Sequence, residues 1–234
     1  MSKPKPYAFA DRSELVSKLR SDNARLSKLY QLQETHDTLK DVAKESVKSN
    51  TYRGITGMPF PPSVFFRTWA LEQLAHGDMI PTLERIYSQQ EYDSWLGEFA
   101  ERLSIAWESK MGKKIQYGKK MKLCNLLLRH LILWTQLKTE IRDRLSRFVH
   151  VPLDQFVLVA IRNCIDPDDQ GRIKRIPQNA TMSFPRDKDM YMRIQHNIRS
   201  IADEANVPTT FVDILAWHDR HPDWEHSRIV KTSF

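Results

Sequence analysis

The stretch Tyr117-Gly118-Lys119-Lys120-Met121-Lys122-Leu123-Cys124-Asn125-Leu126-Leu127-Leu128-Arg129-His130-Leu131-Ile132-Leu133 decides the fold class. Its apolar side chains return at helical spacing, and no strict alternation of apolar and polar residues runs through it. The pattern predicts a strongly apolar helix from Met121 to Leu137, introduced by a lysine cluster around Gly118. Arg129 and His130 interrupt the apolar run from Leu126 to Leu133, which is far too short to span a bilayer.

The same periodicity extends outward in both directions. Toward the N-terminus it predicts one long helix or two over Asp11 to Lys48, then a break at Gly54-Ile55-Thr56-Gly57-Met58-Pro59-Phe60-Pro61-Pro62. A helix follows from Ser63 to His76, another opens at Pro81, and a third covers Glu91 to Met111. Toward the C-terminus, Lys138 to His150 reads as a basic connector, followed by an apolar helix that opens at Val151-Pro152-Leu153-Asp154 and continues to Cys164. Residues Asp166 to Arg186 lack a pattern and read as a long loop, of the kind that is often functional. Two closing helices are expected, from Asp187 to Asn206 and from Pro208 to His218. With only 7 glycines in 234 residues and almost no strand signal, the expectation is an all-α domain.

Composition bounds the function. A chain of 234 residues can bury a sizeable core without disulfide or metal staples. Lys and Arg number 36 against 29 Asp and Glu, a net charge of +7, which favours a polyanionic partner such as nucleic acid or an anionic surface. Two cysteines, Cys124 and Cys164, are too few for a four-thiolate zinc or iron–sulfur site within this chain, and their apolar settings suit small buried hydrophobes. No apolar stretch follows Met1-Ser2-Lys3-Pro4-Lys5-Pro6, so no signal peptide is expected, and a monomeric cytoplasmic protein with no membrane association is the default.

Three places carry candidate chemistry. From Lys110 to Lys122, six lysines fall in thirteen positions, punctuated by Gly112 and Gly118 and running into a helix. A glycine turn at a helix start presents free backbone N–H groups, which suit a phosphate, and Gly118, Lys113, Lys114, Lys119 and Lys122 are the expected DNA-backbone contacts. A solvated basic loop is the plainer alternative. Second, Asp154 stands after a proline in the first turn of an apolar helix, where an acid complements the dipole and needs no other role. A fixed anion there also suits stabilisation of a cationic sugar transition state at the mouth of a cleft. Third, Asp213 and Trp217 are four residues apart and share a helix face, so they read either as a base-stacking and base-edge pair or as a core tryptophan with a nearby acid.

Taken in order, Tyr117-Gly118-Lys119-Lys120-Met121-Lys122-Leu123-Cys124, Val151-Pro152-Leu153-Asp154 and Asp213-Ile214-Leu215-Ala216-Trp217 resemble the helix–hairpin–helix superfamily of DNA glycosylases. The archaeal 8-oxoguanine glycosylase branch is the most similar. The resemblance spans Trp107 to Asp219, and the family's Leu-Pro-Gly-x-Gly hairpin is reduced here to Ile115-Gln116-Tyr117-Gly118.

The resemblance implies a globular multi-helix fold with a base pocket between helices, duplex DNA bearing a modified base as partner, and no metal or cofactor. It implies Asp154 as the catalytic carboxylate and Lys120 as an amine that attacks C1′ in a bifunctional glycosylase/lyase. Asp213 and Trp217 then read the extruded base. Residues 1–100 are expected as an N-terminal helical part that contributes to the pocket, and 101–234 as the hairpin and catalytic part, together forming one unit. The implied substrate is an oxidised purine such as 8-oxoguanine. A bulky hypermodified phage base such as glycosylated cytosine, excised in antiviral defence, is the second substrate reading.

Two rival readings stand beside this one. An Arg and a His four to six residues apart, here Arg144 and His150, mark HEPN-type ribonucleases, although Pro152 follows too closely for a continuous helix. A non-catalytic nucleic-acid-binding protein would keep the basic surface but leave Asp154 exposed.

Overall fold

A computed structural model describes residues 6–31, 33, 35–47, 51–52, 55–76, 78–173 and 175–218. The described residues form twelve helices and no strand; a single bridge pairs His36 with Trp134. The fold is therefore all-α. Two compact units result, one from the described residues up to 31 and from 153 onward, the other from those between 33 and 152. The division expected between residues 100 and 101 falls in the middle of a helix, and the chain instead parts near 32 and 152.

The first unit combines α1 (Arg12–Ser21) and α2 (Asn23–Gln31) with α9 (Gln155–Ala160), α10 (Pro167–Gln170), α11 (Lys188–Ala205) and α12 (Thr210–His218). Helix α1 packs along α11, while α12 packs on α9 and α2. Leu15, Val16 and Leu19 recur at helical spacing and are buried, as are Ile194, Ile198 and Ile201 on α11. Arg12 ties α1 to α11 through Glu204 at 2.8 Å and Ser200 at 2.7 Å. Helix α11 begins where Asp187 accepts a hydrogen bond from Met190 N and ends at Asn206, whose φ of 57° stops the helix in the left-handed region.

In the second unit lie α3 (Leu39–Glu45), α4 (Pro62–Ala75), α5 (Met79–Glu84), α6 (Gln89–Met111), α7 (Tyr117–Leu131) and α8 (Thr139–Phe148). Helix α6 is the longest, opened by a reciprocal Ser88/Glu91 capping box and closed by Gly112 at φ 65°. Its buried face carries Tyr92, Trp95 and Phe99, which pack ring against ring and meet Trp69 of α4. Helix α7 lies along α6 and α3.

Several local expectations change. The N-terminal segment holds three helices, because Asp22 closes α1 and Thr38 caps a separate α3. Gly54, in the expected break, lies outside the described residues. Pro81 sits inside the first turn of α5 rather than at its start. The connector from Lys138 to His150 is mostly helix α8, with Ile141 and Leu145 buried one turn apart. Helix α9 stops at Ala160, short of Cys164. The loop from Asp166 to Arg186 contains the short α10, pinned by Asp169 to Arg193 and Asn197 of α11.

Candidate functional site

The chain returns to the first unit at Leu153, and Asp154 caps α9 immediately afterwards. With an extended backbone, its carboxylate turns back on the helix that follows. Oδ1 accepts from Phe156 N at 2.9 Å and from Val157 N at 3.2 Å. This arrangement satisfies two N–H groups that the first helical turn otherwise leaves without partners. Only 9% of Asp154 is exposed, so the carboxylate does not stand on the outer surface that a purely solvated cap would use.

Helix α12 lies against α9 and brings two more of the expected residues to the same unit. The ring of Trp217 meets that of Phe156, with centroids 4.3 Å apart and planes tilted by 33°. Phe156 is the residue whose own N–H holds Asp154, so one turn of backbone links the carboxylate to the aromatic pair. Asp213 is one helical turn before Trp217 on the same stripe and is 2% exposed. Thr210 continues that stripe, and its Oγ1 is buried with no hydrogen-bond partner among the described residues. Asp154, Asp213 and Trp217 thus share the first unit, whereas Lys120 and the lysine cluster belong to the second.

The lysine cluster is built differently from the expected glycine turn. Gly118 lies in the first turn of α7 and is buried, and the turn glycine is Gly112, the left-handed residue that ends α6. The α6–α7 connection is therefore Gly112 to Gln116, and Lys119, Lys120 and Lys122 are helical. Lys113 and Lys114 are exposed on this loop, while Lys119 and Lys122 are half-buried. Two lysines, one on the loop and one in the last turn of α6, hold Gly57 and Phe60. Lys113 donates to Gly57 O at 3.1 Å, and Lys110 lies 4.7 Å over the ring of Phe60.

Lys120 is held on α6. Its Nζ donates to Glu101 Oε2 at 2.9 Å and to Ser104 Oγ at 3.0 Å, and lies 5.1 Å from the centre of the Tyr117 ring. The groups around the amine are an acid, a hydroxyl and an aromatic face, rather than the neighbouring lysines. The amine is thus engaged as a donor to two side chains of α6.

The Arg144/His150 pair does not share a helix, since α8 ends at Phe148. His150 is buried, its Nε2 is 2.9 Å from Asp93 Oδ1, and its ring meets Tyr92 edge-on. Arg144 donates to Glu84 O and stacks 4.2 Å over Tyr87. Each side chain thus has packing partners of its own, Arg144 at Glu84 and Tyr87, and His150 at Asp93 and Tyr92.

Phe156 carries almost no signal in the sequence. Its only signal is an aromatic side chain two residues after the capping acid, and no local pattern says which distant ring it will meet. Among the described residues, no three His, Cys, Asp or Glu side chains gather into a possible metal site, and no helix is long and apolar enough to cross a membrane. Comparison of the chain with known protein families, with curated proteins and with solved structures finds no match to any of them.

Proposed function

We propose that this chain is a DNA N-glycosylase, acting as a monomer in the cytoplasm, that extrudes a modified nucleotide from duplex DNA and cleaves its N-glycosidic bond. The observation that supports the reading is the buried Asp154, whose carboxylate is fixed by two backbone N–H groups, one of them from Phe156, whose ring meets Trp217. As the C1′–N bond lengthens, positive charge develops on the deoxyribose, and an anion already held in place stabilises it without reorganisation. The bonding pair leaves with the base, which takes up a proton. Water adds to C1′ and gives its proton to the Asp154 carboxylate, then to solvent, leaving an abasic site. Trp217 stacks on the extruded base, and Asp213 accepts a hydrogen bond from its edge. Exposed Lys113 and Lys114 are suited to the phosphate backbone, with Lys119 and Lys122 beside them.

The pairing of Lys120 with Glu101 and Ser104 favours hydrolysis by water over Schiff-base chemistry. A bifunctional glycosylase/lyase would require that amine to leave both partners and lose a proton before attacking C1′. Borohydride trapping of a covalent DNA adduct separates the two versions.

The substrate follows from the resemblance and from the unassigned N-terminal half. It is either an oxidised purine such as 8-oxoguanine or a bulky hypermodified base such as glycosylated cytosine in phage DNA, which would make the protein an antiviral defence enzyme. The test incubates the protein with unmodified duplex, 8-oxoguanine duplex and hypermodified phage DNA, and measures free base. The parent should release base from one modified DNA. Asp154→Asn should lower the rate by about a hundredfold or more, the scale of removing a charged transition-state contact. Because Asn caps a helix about as well as Asp, this variant separates charge from structure. Equal release by the variant and the parent overturns the reading.

A further inference from the structure

Resting on the glycosylase reading, we propose that Phe156 is a positioning residue for base recognition, holding Trp217 so that an extruded nucleobase stacks on the outer face of the aromatic pair. The first support is distance. The two ring centroids are 4.3 Å apart, which is ordinary contact between rings. A base inserted between them would need roughly 7 Å, two successive carbon–carbon contact distances. The pair is therefore closed to intercalation, and stacking is left to a face that the other ring does not cover.

The second support is exposure. Phe156 and Trp217 are only half-buried, although the residues around them on α9 and α12, including Val157, Leu158, Ile214 and Leu215, are almost fully buried. Two adjoining aromatic side chains at the rim of an otherwise closed helix pair leave apolar, polarisable surface available to a planar heterocycle.

The third support is linkage to the charge. The Phe156 N–H donates to Asp154 Oδ1 at 2.9 Å, so the backbone that fixes the carboxylate also fixes the ring that backs Trp217. Asp213 precedes Trp217 by one turn on the same helical stripe. Removing the Phe156 ring leaves Trp217 free to change rotamer. It leaves the lysine loop, which belongs to the other unit, intact.

The experiment uses the full chain and a duplex in which 2-aminopurine stands opposite an abasic site, where extrusion is cheap. Anisotropy of a distant dye gives duplex affinity. Quenching of the 2-aminopurine emission reports stacking, whether or not any bond is cleaved. The parent and Phe156→Tyr should quench alike. Phe156→Leu and Trp217→Leu should lose most of the quenching, and Phe156→Leu should change duplex affinity by less than about threefold. With a cleavable substrate, Phe156→Leu should lower the single-turnover rate about tenfold, with rescue by Phe156→Tyr. A Phe156→Leu protein that quenches as the parent does, or a parent that binds and does not quench, overturns the proposal. Quenching with no base released from any modified DNA instead sinks the glycosylase reading and leaves the stacking role standing.

Discussion

Asp154 Oδ1 lies 2.9 Å from the backbone nitrogen of Phe156, and that hydrogen bond makes the acid a structural part of α9 as well as a candidate for chemistry. The two roles predict different mutational patterns. Asp154→Ala removes the cap and should cost about 1 kcal/mol of stability, the usual scale for an N-cap. Asp154→Asn should fall within about 0.5 kcal/mol of the parent, because the amide oxygen can accept the same two N–H groups. Urea denaturation of the three proteins measures both values. An Asn variant as unstable as the Ala variant would mean that the charge itself stabilises the native fold.

Lys120 and Glu101 allow a second test. The lysine side chain is 11% exposed and that of Glu101 is 61% exposed, so solvent screens much of their attraction. Glu101→Gln should therefore change stability by less than about 1 kcal/mol. Its chemical consequence is more informative. Releasing the amine from its acid partner should not create a borohydride-trapped DNA adduct if water is the nucleophile. A trapped adduct in Glu101→Gln that is absent from Glu101→Gln/Lys120→Gln would assign the lyase step to this amine.

These features differ in how far sequence exposes them. Helix α11 was legible almost to the residue, since Asp187 is a capping type and Asn206 tolerates the left-handed conformation. Helix α8 resembles a connector in sequence because Ile141 and Leu145 are its only buried side chains, set among charged residues. Gly118 is ambiguous in sequence because glycine suits a turn, yet it lies buried in the first turn of α7. The positive φ at Gly112 marks the real turn. Asp154 as a cap follows from its neighbours. The meeting of the Phe156 ring with Trp217 depends on how α12 returns to α9, which no short-range pattern encodes.

The cysteines make a prediction about reactivity. Burial pushes the Cys164 thiol up to about 12, with the nearby charges of Asp11 and Glu14 adding to the effect. Burial likewise pushes the Cys124 thiol up, against opposing contributions from Lys120 and Arg102. The thiolate is the reactive species, so both sites should be inert in the native protein at neutral pH. Titration with an aromatic disulfide reagent should find no reactive thiol in buffer and two in denaturant, matching the 2 cysteines of the chain. Rapid labelling of one cysteine in buffer would show that its surroundings open locally.

Asp169 should give the first unit a specific acid sensitivity. Burial works to raise its pKa, but hydrogen bonds from Arg193 and Asn197 outweigh this and hold the carboxyl below its ordinary value. A carboxyl whose folded pKa lies below its unfolded one contributes stability that is present above the unfolded value. That stability is lost as pH falls through the folded value. Here it fastens α10 and the following loop to α11, through Asp169 Oδ1 on Arg193 Nη1 at 2.9 Å and Oδ2 on Asn197 Nδ2 at 2.8 Å. Asp169→Asn should therefore be less stable than the parent at about pH 5, with the gap closing toward about pH 2. Denaturant midpoints across that range measure the gap. A gap that stays constant with pH would assign the anchoring to hydrogen-bond shape alone and remove the charge from the account.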